Sequence, residues 1–218
     1  RNNNEHETKT RMKMQHKSDK NVTKKDILTL GYRAHEHAVT VLMQHFTGDP
    51  SQTRVLDVAC GSGLVAKTMV ELGFGQFVGV DASEGMLKEA ELTGLYQDLH
   101  HAILGTQALS VEREWFDVVT VVGGLYPGFI PVSAVREFYE ATKPGGLVCM
   151  SRGNYPRPEY ISYDEALEET LAEMETEGLW TRLTATKVQR YVADHLCEEE
   201  DPDRREYIPG TIYLAPNK

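Results

Sequence analysis

The chain has 218 residues and a formal net charge of −10, with 40% hydrophobic and 26% charged residues. That suffices for one well-buried domain, and a second full domain would be cramped. Apolar runs fall short of the ~20 residues that span a bilayer, and the N-terminus, which opens on Arg1 as a fragment or processed chain would, lacks the apolar centre of a secretory signal.

Residues 1–26 carry eight Lys/Arg against four Asp/Glu, a local +4, in a polar stretch that reads as a flexible tail over 1–25. This arm is the only basic region, so nucleic acid is a disfavoured substrate. From Asp26 to Phe46 the stripe Ile27, Leu30, Ala34, Ala38, Val41, Leu42, His45 predicts a helix, with Gly31 marking a break. This N-terminal helical segment, taken as 26–50, closes on the turn Gly48-Asp49-Pro50-Ser51, and a single domain over 51–218 follows.

Within that domain short apolar runs alternate with helical segments. Val55–Ala59 predicts a strand, Leu64–Leu72 a helix stopped by Gly73, and Phe77–Val80 a second strand. Ser83–Leu92 predicts a helix with Ser83 as N-cap. Ala102–Leu104 predicts a third strand, Phe116–Val122 a fourth, Ser133–Thr142 a helix, and Leu147–Met150 a fifth strand after the turn Lys143-Pro144-Gly145-Gly146. Ser162-Tyr163-Asp164-Glu165 has the form of a capping box opening a helix with inner stripe Leu167, Leu171, Met174 and a stop at Gly178. Val188–Val192 and Thr211–Leu214 predict an edge hairpin, separated by the acidic run Glu198–Asp203, within a region (159–206) of fifteen Asp/Glu and five Lys/Arg. Strands apolar on both faces, alternating with helices, predict an α/β fold: a Rossmann-like doubly wound sheet of seven strands, mostly parallel, with an antiparallel C-terminal hairpin.

The chemistry concentrates in Asp57-Val58-Ala59-Cys60-Gly61-Ser62-Gly63. Two glycines let the backbone bend sharply and a ligand approach closely, and the helix that follows points free N–H groups at it. Asp81, 18 residues after Gly63 and ending the second strand, can accept both hydroxyl hydrogens of a ribose. A tight turn without a ligand would leave both acids unexplained. Gly61-Ser62-Gly63-Leu64-Val65-Ala66 also fits the dinucleotide pattern G-x-G-x-x-A. Asp57 discriminates: it would face a pyrophosphate unfavourably and suits a ligand carrying an ammonium and a sulfonium, as S-adenosylmethionine (SAM) does.

D-V-A-C-G-S-G, then V-G-V-D-A-S-E-G-M-L at 78–87 and K-P-G-G-L at 143–147, resemble three motifs of the class I SAM-dependent methyltransferases over roughly residues 51–150. T-L-G-Y-R-A at 29–34, A-T-K-P-G-G-L-V-C at 141–149, Y-D-E-A-L-E at 163–168 and G-T-I-Y-L at 210–214 resemble a narrower methyltransferase-like group typified by the protein of the Williams–Beuren syndrome region. The resemblance implies SAM as cofactor and S-adenosylhomocysteine as product. It implies Asp57 for the methionine amino group, with Ala59, Cys60, Gly61, Ser62 and Gly63 beneath the methionine moiety. Asp81 would take the ribose, Ala82 and Met86 would flank the adenine, and Gly105, Thr106 and Gln107 would meet its amino group, Thr106 standing where the family often has an acid. Val122, Gly123 and Gly124 would line the methyl-donor side. Apart from the resemblance, Arg33 has two equal readings: reaching the cofactor carboxylate from a helix packed across the cleft, or lying solvated on an amphipathic helix. Residues 10–26 do not contain the family's Y-D-x-W-A-x-x-Y-D lid motif.

No residue emerges as catalytic. Tyr126, Asn154 and Tyr155 fall where an acceptor should sit, but Asn154-Tyr155-Pro156 follows the fifth strand and not the fourth, unlike the N-P-P-Y signature of amino-group methylation. The pairs His35/His37 and His100/His101 lack the further ligands of a metal site. Cys60 reads as a packing residue. Three cysteines (Cys60, Cys149, Cys197) without short spacing suggest reduced thiols, hence a cytoplasmic or nuclear location. The expected function is methyl transfer from SAM to a small-molecule or protein acceptor, with no membrane partner and an undetermined oligomeric state. A SAM-binding partner protein with little turnover is the second reading, and an NAD(P)-dependent oxidoreductase the third.

Overall fold

A computed structural model describes residues 31–193 and 206–218. The expected tail over 1–25, the start of the 26–46 helix, Cys197 and the Glu198–Asp203 run lie outside the described residues. In chain order the elements are α1 (Ala34–Met43), β1 (Arg54–Val58), α2 (Leu64–Val70), β2 (Gln76–Asp81), α3 (Glu84–Glu91), β3 (Tyr96–His101), β4 (Phe116–Val122), α4 (Val135–Ala141), β5 (Thr142–Gly153), α5 (Pro158–Thr176), β6 (Thr184–Ala193) and β7 (Tyr207–Pro216).

The seven strands form one sheet in the order β3-β2-β1-β4-β5-β7-β6. Neighbours from β3 to β5 are parallel, and β7 runs antiparallel to both β5 and β6. This is the doubly wound, mostly parallel sheet that the alternating runs predict, with β7 inserted between β5 and β6, so that β6 takes the edge. Successive strand residues point to opposite faces, and each face has its own core. Leu56, Val119, Val121 and Met150 pack with Phe138 of α4 and with Leu167, Leu171 and Met174 of α5. Val55, Phe77, Val118 and Cys149 pack with Ala38 and Leu42 of α1 and with Val65, Ala66 and Met69 of α2.

Helix α1 starts at Ala34 because Gly31 adopts φ +62°, a break that glycine tolerates where other residues are strained. Its stripe Ala34, Ala38, Val41 and Leu42 is buried, whereas His45, expected on that stripe, lies past the helix end and is exposed. Ser83 caps α3, its hydroxyl accepting the Met86 N–H at 3.2 Å.

Three elements differ from expectation. The third strand is Tyr96–His101, not Ala102–Leu104. As an edge strand β3 is largely polar, and the apolar Ala102 and Leu104 are buried in the loop beyond it. Helix α5 opens at Pro158, with Pro at its first turn and Arg157 as N-cap, one turn before the expected capping box. Ser162 is therefore inside the helix, while Gly178 (φ +76°) stands just past its end as expected. Strand β5 is also longer than Leu147–Met150. It absorbs Lys143–Gly146 as an irregularity between the Phe116/Thr142 and Val118/Leu147 pairs, closed by reciprocal bonds of Gly145 and Gly146 with Asn217.

Candidate functional site

Parallel strands send all their carboxyl-terminal loops to one edge of the sheet, and β1 lies beside β4 where the strand order reverses. The segments after β1, β2, β4 and β5 meet there. After β1 the backbone enters the left-handed region three times, at Ala59 (φ 56°), Gly61 (φ 53°) and Gly63 (φ 84°). For Ala59 that conformation costs about 1–2 kcal/mol, and such strain persists only where the surroundings enforce it. The enforcing contacts are Cys60 N–H to Val80 O at 3.1 Å and Gly63 N–H to Cys60 O at 2.9 Å.

Asp81 ties the turn to β2. Its Oδ2 accepts the Gly61 N–H and its Oδ1 the Ser83 N–H, each at 2.8 Å. A carboxylate offers about four acceptor sites, so the two amides aim it without exhausting it. Asp57 sits beneath the turn and is wholly buried. Tyr96 Oη donates to its Oδ2 at 2.7 Å and Thr120 Oγ1 to its Oδ1 at 3.0 Å. Burial pushes the Asp57 carboxyl up to about 6, against the pull of these two hydroxyls. Burial, and then the negative charge of Asp57, push the Cys60 thiol up as well, so Cys60 is an unreactive packing residue.

Around this centre Ala82 and Met86 follow Asp81 on the way into α3, and the Ala82 carbonyl meets His101 Nε2 at 2.9 Å. Gly105 (φ +82°), Thr106 and Gln107 form an exposed turn in which the Thr106 hydroxyl bonds the Ile103 carbonyl at 2.7 Å. Val122 ends β4 and Gly123 (φ +74°) follows it, donating its N–H to Ser151 O at 3.3 Å. Arg33, in contrast, is half exposed, and its Nε pairs with Glu36 at 2.9 Å.

The opposite rim is aromatic. Tyr126 and Phe129 (centroids 4.2 Å apart) follow β4, Tyr155 follows β5, and Tyr160 on α5 lies 4.7 Å from Tyr155 and parallel to Tyr126 at 6.4 Å. Tyr32 contacts Tyr191 edge-on, and its hydroxyl fills the space that a Cβ on Gly123 would need. Burial pushes the phenols of Tyr32 and Tyr126 up, so both are neutral hydrogen-bonding groups. Asn154 is used structurally: its N–H donates to Pro209 O at 2.7 Å and its side chain accepts from Thr211 at 3.1 Å.

Sequence reasoning missed Tyr96, Thr120, Tyr32, Tyr160 and Tyr191. Only Tyr32 lies in a motif, T-L-G-Y-R-A, which gives it no role; each reaches the site through the fold. The histidines are structural: His35 is buried and stacks on Tyr32, His37 meets the Arg190 carbonyl, and His100 pairs with Asp98. A groove of about 450 Å³ between α1 and α2, lined in part by Val39, Met43 and Leu72, includes none of these site residues.

Whether SAM fits is tested by the turn itself. Ser62 Oγ is buried without a hydrogen-bond partner among the described residues, and a Cβ added to Gly61 would meet nothing within 4 Å. Buried hydroxyls are rarely left unpaired, so an unpaired buried hydroxyl in a turn with open space at Gly61, and two acids tied to that turn, suit a polar nucleoside with an amino acid tail.

Sheet order and the glycine turn after β1 define an α/β protein of the Rossmann-like class. A profile of the methyltransferase domain family matches residues 55–146. Human Methyltransferase-like protein 27 is 45% identical over 166 residues, covering 76% of this chain and 66% of that protein. The ubiquinone biosynthesis O-methyltransferase of Ruegeria pomeroyi is 37% identical over 109 residues, 48% of this chain and 43% of the relative. In sequence over residues 55–146 and in fold the chain is similar to the class I SAM-dependent methyltransferases, and it spans just under two thirds of the first relative's length and under half of the second's. Solved structures agree in fold: a SAM-dependent methyltransferase from Mesorhizobium loti superposes with TM-score 0.56 at 16% identity, over 83% of this chain and 98% of that one. The [4+2]-cyclase SpnF gives 0.60 at 18% identity, over 84% and 81%. Because that neighbour is named for a different reaction, the fold alone does not assign one.

Proposed function

We propose that the chain binds SAM across the Asp57–Gly63 turn and Asp81, and transfers its methyl group to a small-molecule or protein acceptor held at the aromatic rim. The observation that carries this reading is the pairing of a buried carboxylate with an open, strained glycine turn whose Ser62 hydroxyl lacks a protein partner. In it, Asp57 receives the methionine amino group and the Ala59–Gly63 backbone underlies the methionine moiety. Asp81 takes the ribose hydroxyls, while Ala82, Met86 and Gly105–Gln107 surround the adenine. Val122 and Gly123 border the methyl. Arg33 is exposed and its Nε is paired with Glu36, so the site is argued without it.

SAM brings a methyl group activated on a positive sulfur, and the protein's part is to align the acceptor and exclude water. Tyr32, Tyr126 and Tyr155 are half-buried phenols suited to orienting an acceptor, the first two held neutral by burial, and no carboxylate base is needed for an acceptor that is already nucleophilic. Two buried thiols without disulfide partners, Cys60 and Cys149, fit a reducing compartment, cytoplasmic or nuclear. Among the described residues no helix is long and apolar enough to cross a membrane.

Incubation with methyl-labelled SAM and fractionated cell extract tests the assignment. Label appearing in a metabolite or protein fraction, and lost in Asp81→Asn, supports it. Tight S-adenosylhomocysteine binding with no label in any fraction would favour a cofactor-binding partner protein. Binding of NAD in place of S-adenosylhomocysteine would sink the assignment.

A further inference from the structure

We propose that Tyr96 is a positioning residue of the cofactor site: its phenol crosses β2 over Gly79, passes beneath Gly63 and holds the Asp57 carboxylate ready for a cationic amino group. The inference rests on the SAM reading above and adds a residue that lies outside the recognised motifs. Tyr96 starts the edge strand β3, two strands away from Asp57. Its side chain can reach only if the strand between is bare, and Asp57 is paired in register with Gly79. A Cβ on Gly79 would lie 2.9 Å from Tyr96 Cε1 and 2.6 Å from Leu99 Cδ2. At the far end, a Cβ on Gly63 would lie 3.2 Å from Tyr96 Cε2 and 3.4 Å from its hydroxyl. Two glycines in different motifs therefore clear the path of one side chain, whose hydroxyl ends 2.7 Å from Asp57 Oδ2.

The consequence is electrostatic as well as steric. The titratable groups around the Asp57 carboxyl are Tyr96 from β3, Cys60 from the turn and Asp81 from β2, with the non-titrating Thr120 hydroxyl from β4. Cys60 and Tyr96 are themselves held neutral, chiefly by burial and then by Asp57, and Asp81 repels a second negative charge. The hydroxyls of Tyr96 and Thr120 are therefore the groups that favour the ionised carboxyl, the form that binds an ammonium. Removing the Tyr96 hydroxyl leaves the ring and the packing in place but raises the pH at which Asp57 ionises.

Calorimetric titration with S-adenosylhomocysteine from pH 5 to pH 9 tests this. Wild-type affinity falls as pH drops through about 6, where Asp57 gains its proton. In Tyr96→Phe the midpoint of that fall moves up by about one pH unit, while affinity at pH 9 stays within about threefold of wild type. Uniform replacement of tyrosine by 3-fluorotyrosine, a stronger donor of nearly the same shape, moves the midpoint down. An unmoved midpoint in either folded protein overturns the proposal, because a residue that only packs would change affinity at every pH alike. A wild-type protein that binds S-adenosylhomocysteine at no pH overturns the cofactor reading and this inference together.

Discussion

Asp57, proposed to meet the cofactor's amino group, is held against its own solvation. An unfolded aspartate titrates near 3.9, and burial moves this one to about 6. Between those values the folded chain keeps a proton that the unfolded chain has lost. The stability due to this site is therefore complete below about pH 4 and is lost as pH rises through about 6. The gap amounts to about 3 kcal/mol. Asp57→Asn removes the titration and keeps the shape, so the ligand-free variant is expected to exceed wild type in urea midpoint at pH 8 and to converge with it near pH 4. An advantage of equal size at both pH values would show that the Asp57 charge is not its source. Its gain in stability comes with a loss of cofactor affinity, as at other sites that keep a destabilising group for function. Gly79 is the steric counterpart. Gly79→Ala forces a methyl into Tyr96 and Leu99, an overpacking expected to cost about 1–3 kcal/mol and to weaken S-adenosylhomocysteine binding by displacing the Asp57 donor. Gly75→Ala, where the added methyl meets nothing within 4 Å, is the control. Equal losses in both variants by urea unfolding and calorimetry would remove the steric argument.

At the scale of the element, legibility followed burial. Strand β4 runs over the predicted Phe116–Val122, because a central strand is covered on both faces and must be apolar throughout. The edge strand β3 carries Gln97, Asp98, His100 and His101, so its pattern is polar and the apolar residues just beyond it misplace the strand. The glycine turn and its two acids were legible because one short segment and one strand end contain them. Tyr96 and Thr120 were not, since they stand 39 and 63 residues from Asp57 and only sheet order brings them near. The anchoring of α5 was equally hidden. Arg152, buried at the end of β5, pairs with Asp164 of α5 and donates to Tyr213 Oη at 3.2 Å, while Tyr213 donates to Glu168 at 2.8 Å. This network fixes the helix that carries Tyr160 to the aromatic rim. Arg152→Met leaves Asp164 unpaired and partly buried, with an expected loss of about 2–4 kcal/mol. Combining it with Asp164→Leu restores most of that loss, because a well-packed apolar pair can replace a buried ion pair. Failure of the double variant to recover in urea unfolding would show that the network serves more than attachment.

For the whole molecule the two faces of the sheet divide the work. The cores behind α1/α2 and α4/α5 hold the strands in register, and that register delivers the ends of β1, β2, β4 and β5 to one edge. Stability stored in those cores offsets the strain at Ala59 and the buried charge of Asp57. On the proposed reading a cationic ligand relieves the second of these, which links ligand binding and folding through one carboxylate. At a concentration 100 times its dissociation constant, S-adenosylhomocysteine should add about 2.7 kcal/mol, which for a chain of 218 residues raises the melting temperature by about 5–10 °C. At that same ligand concentration the increment shrinks at pH 5, because the site must first release the Asp57 proton before it can take an ammonium. NAD at equal concentration should give no increment, since its pyrophosphate would be repelled by the same carboxylate. Thermal unfolding followed at pH 5 and pH 8 with each ligand separates the cases. A shift with NAD that exceeds the shift with S-adenosylhomocysteine would mean that Asp57 is neutral in the complex. The glycine turn would then be a pyrophosphate cradle.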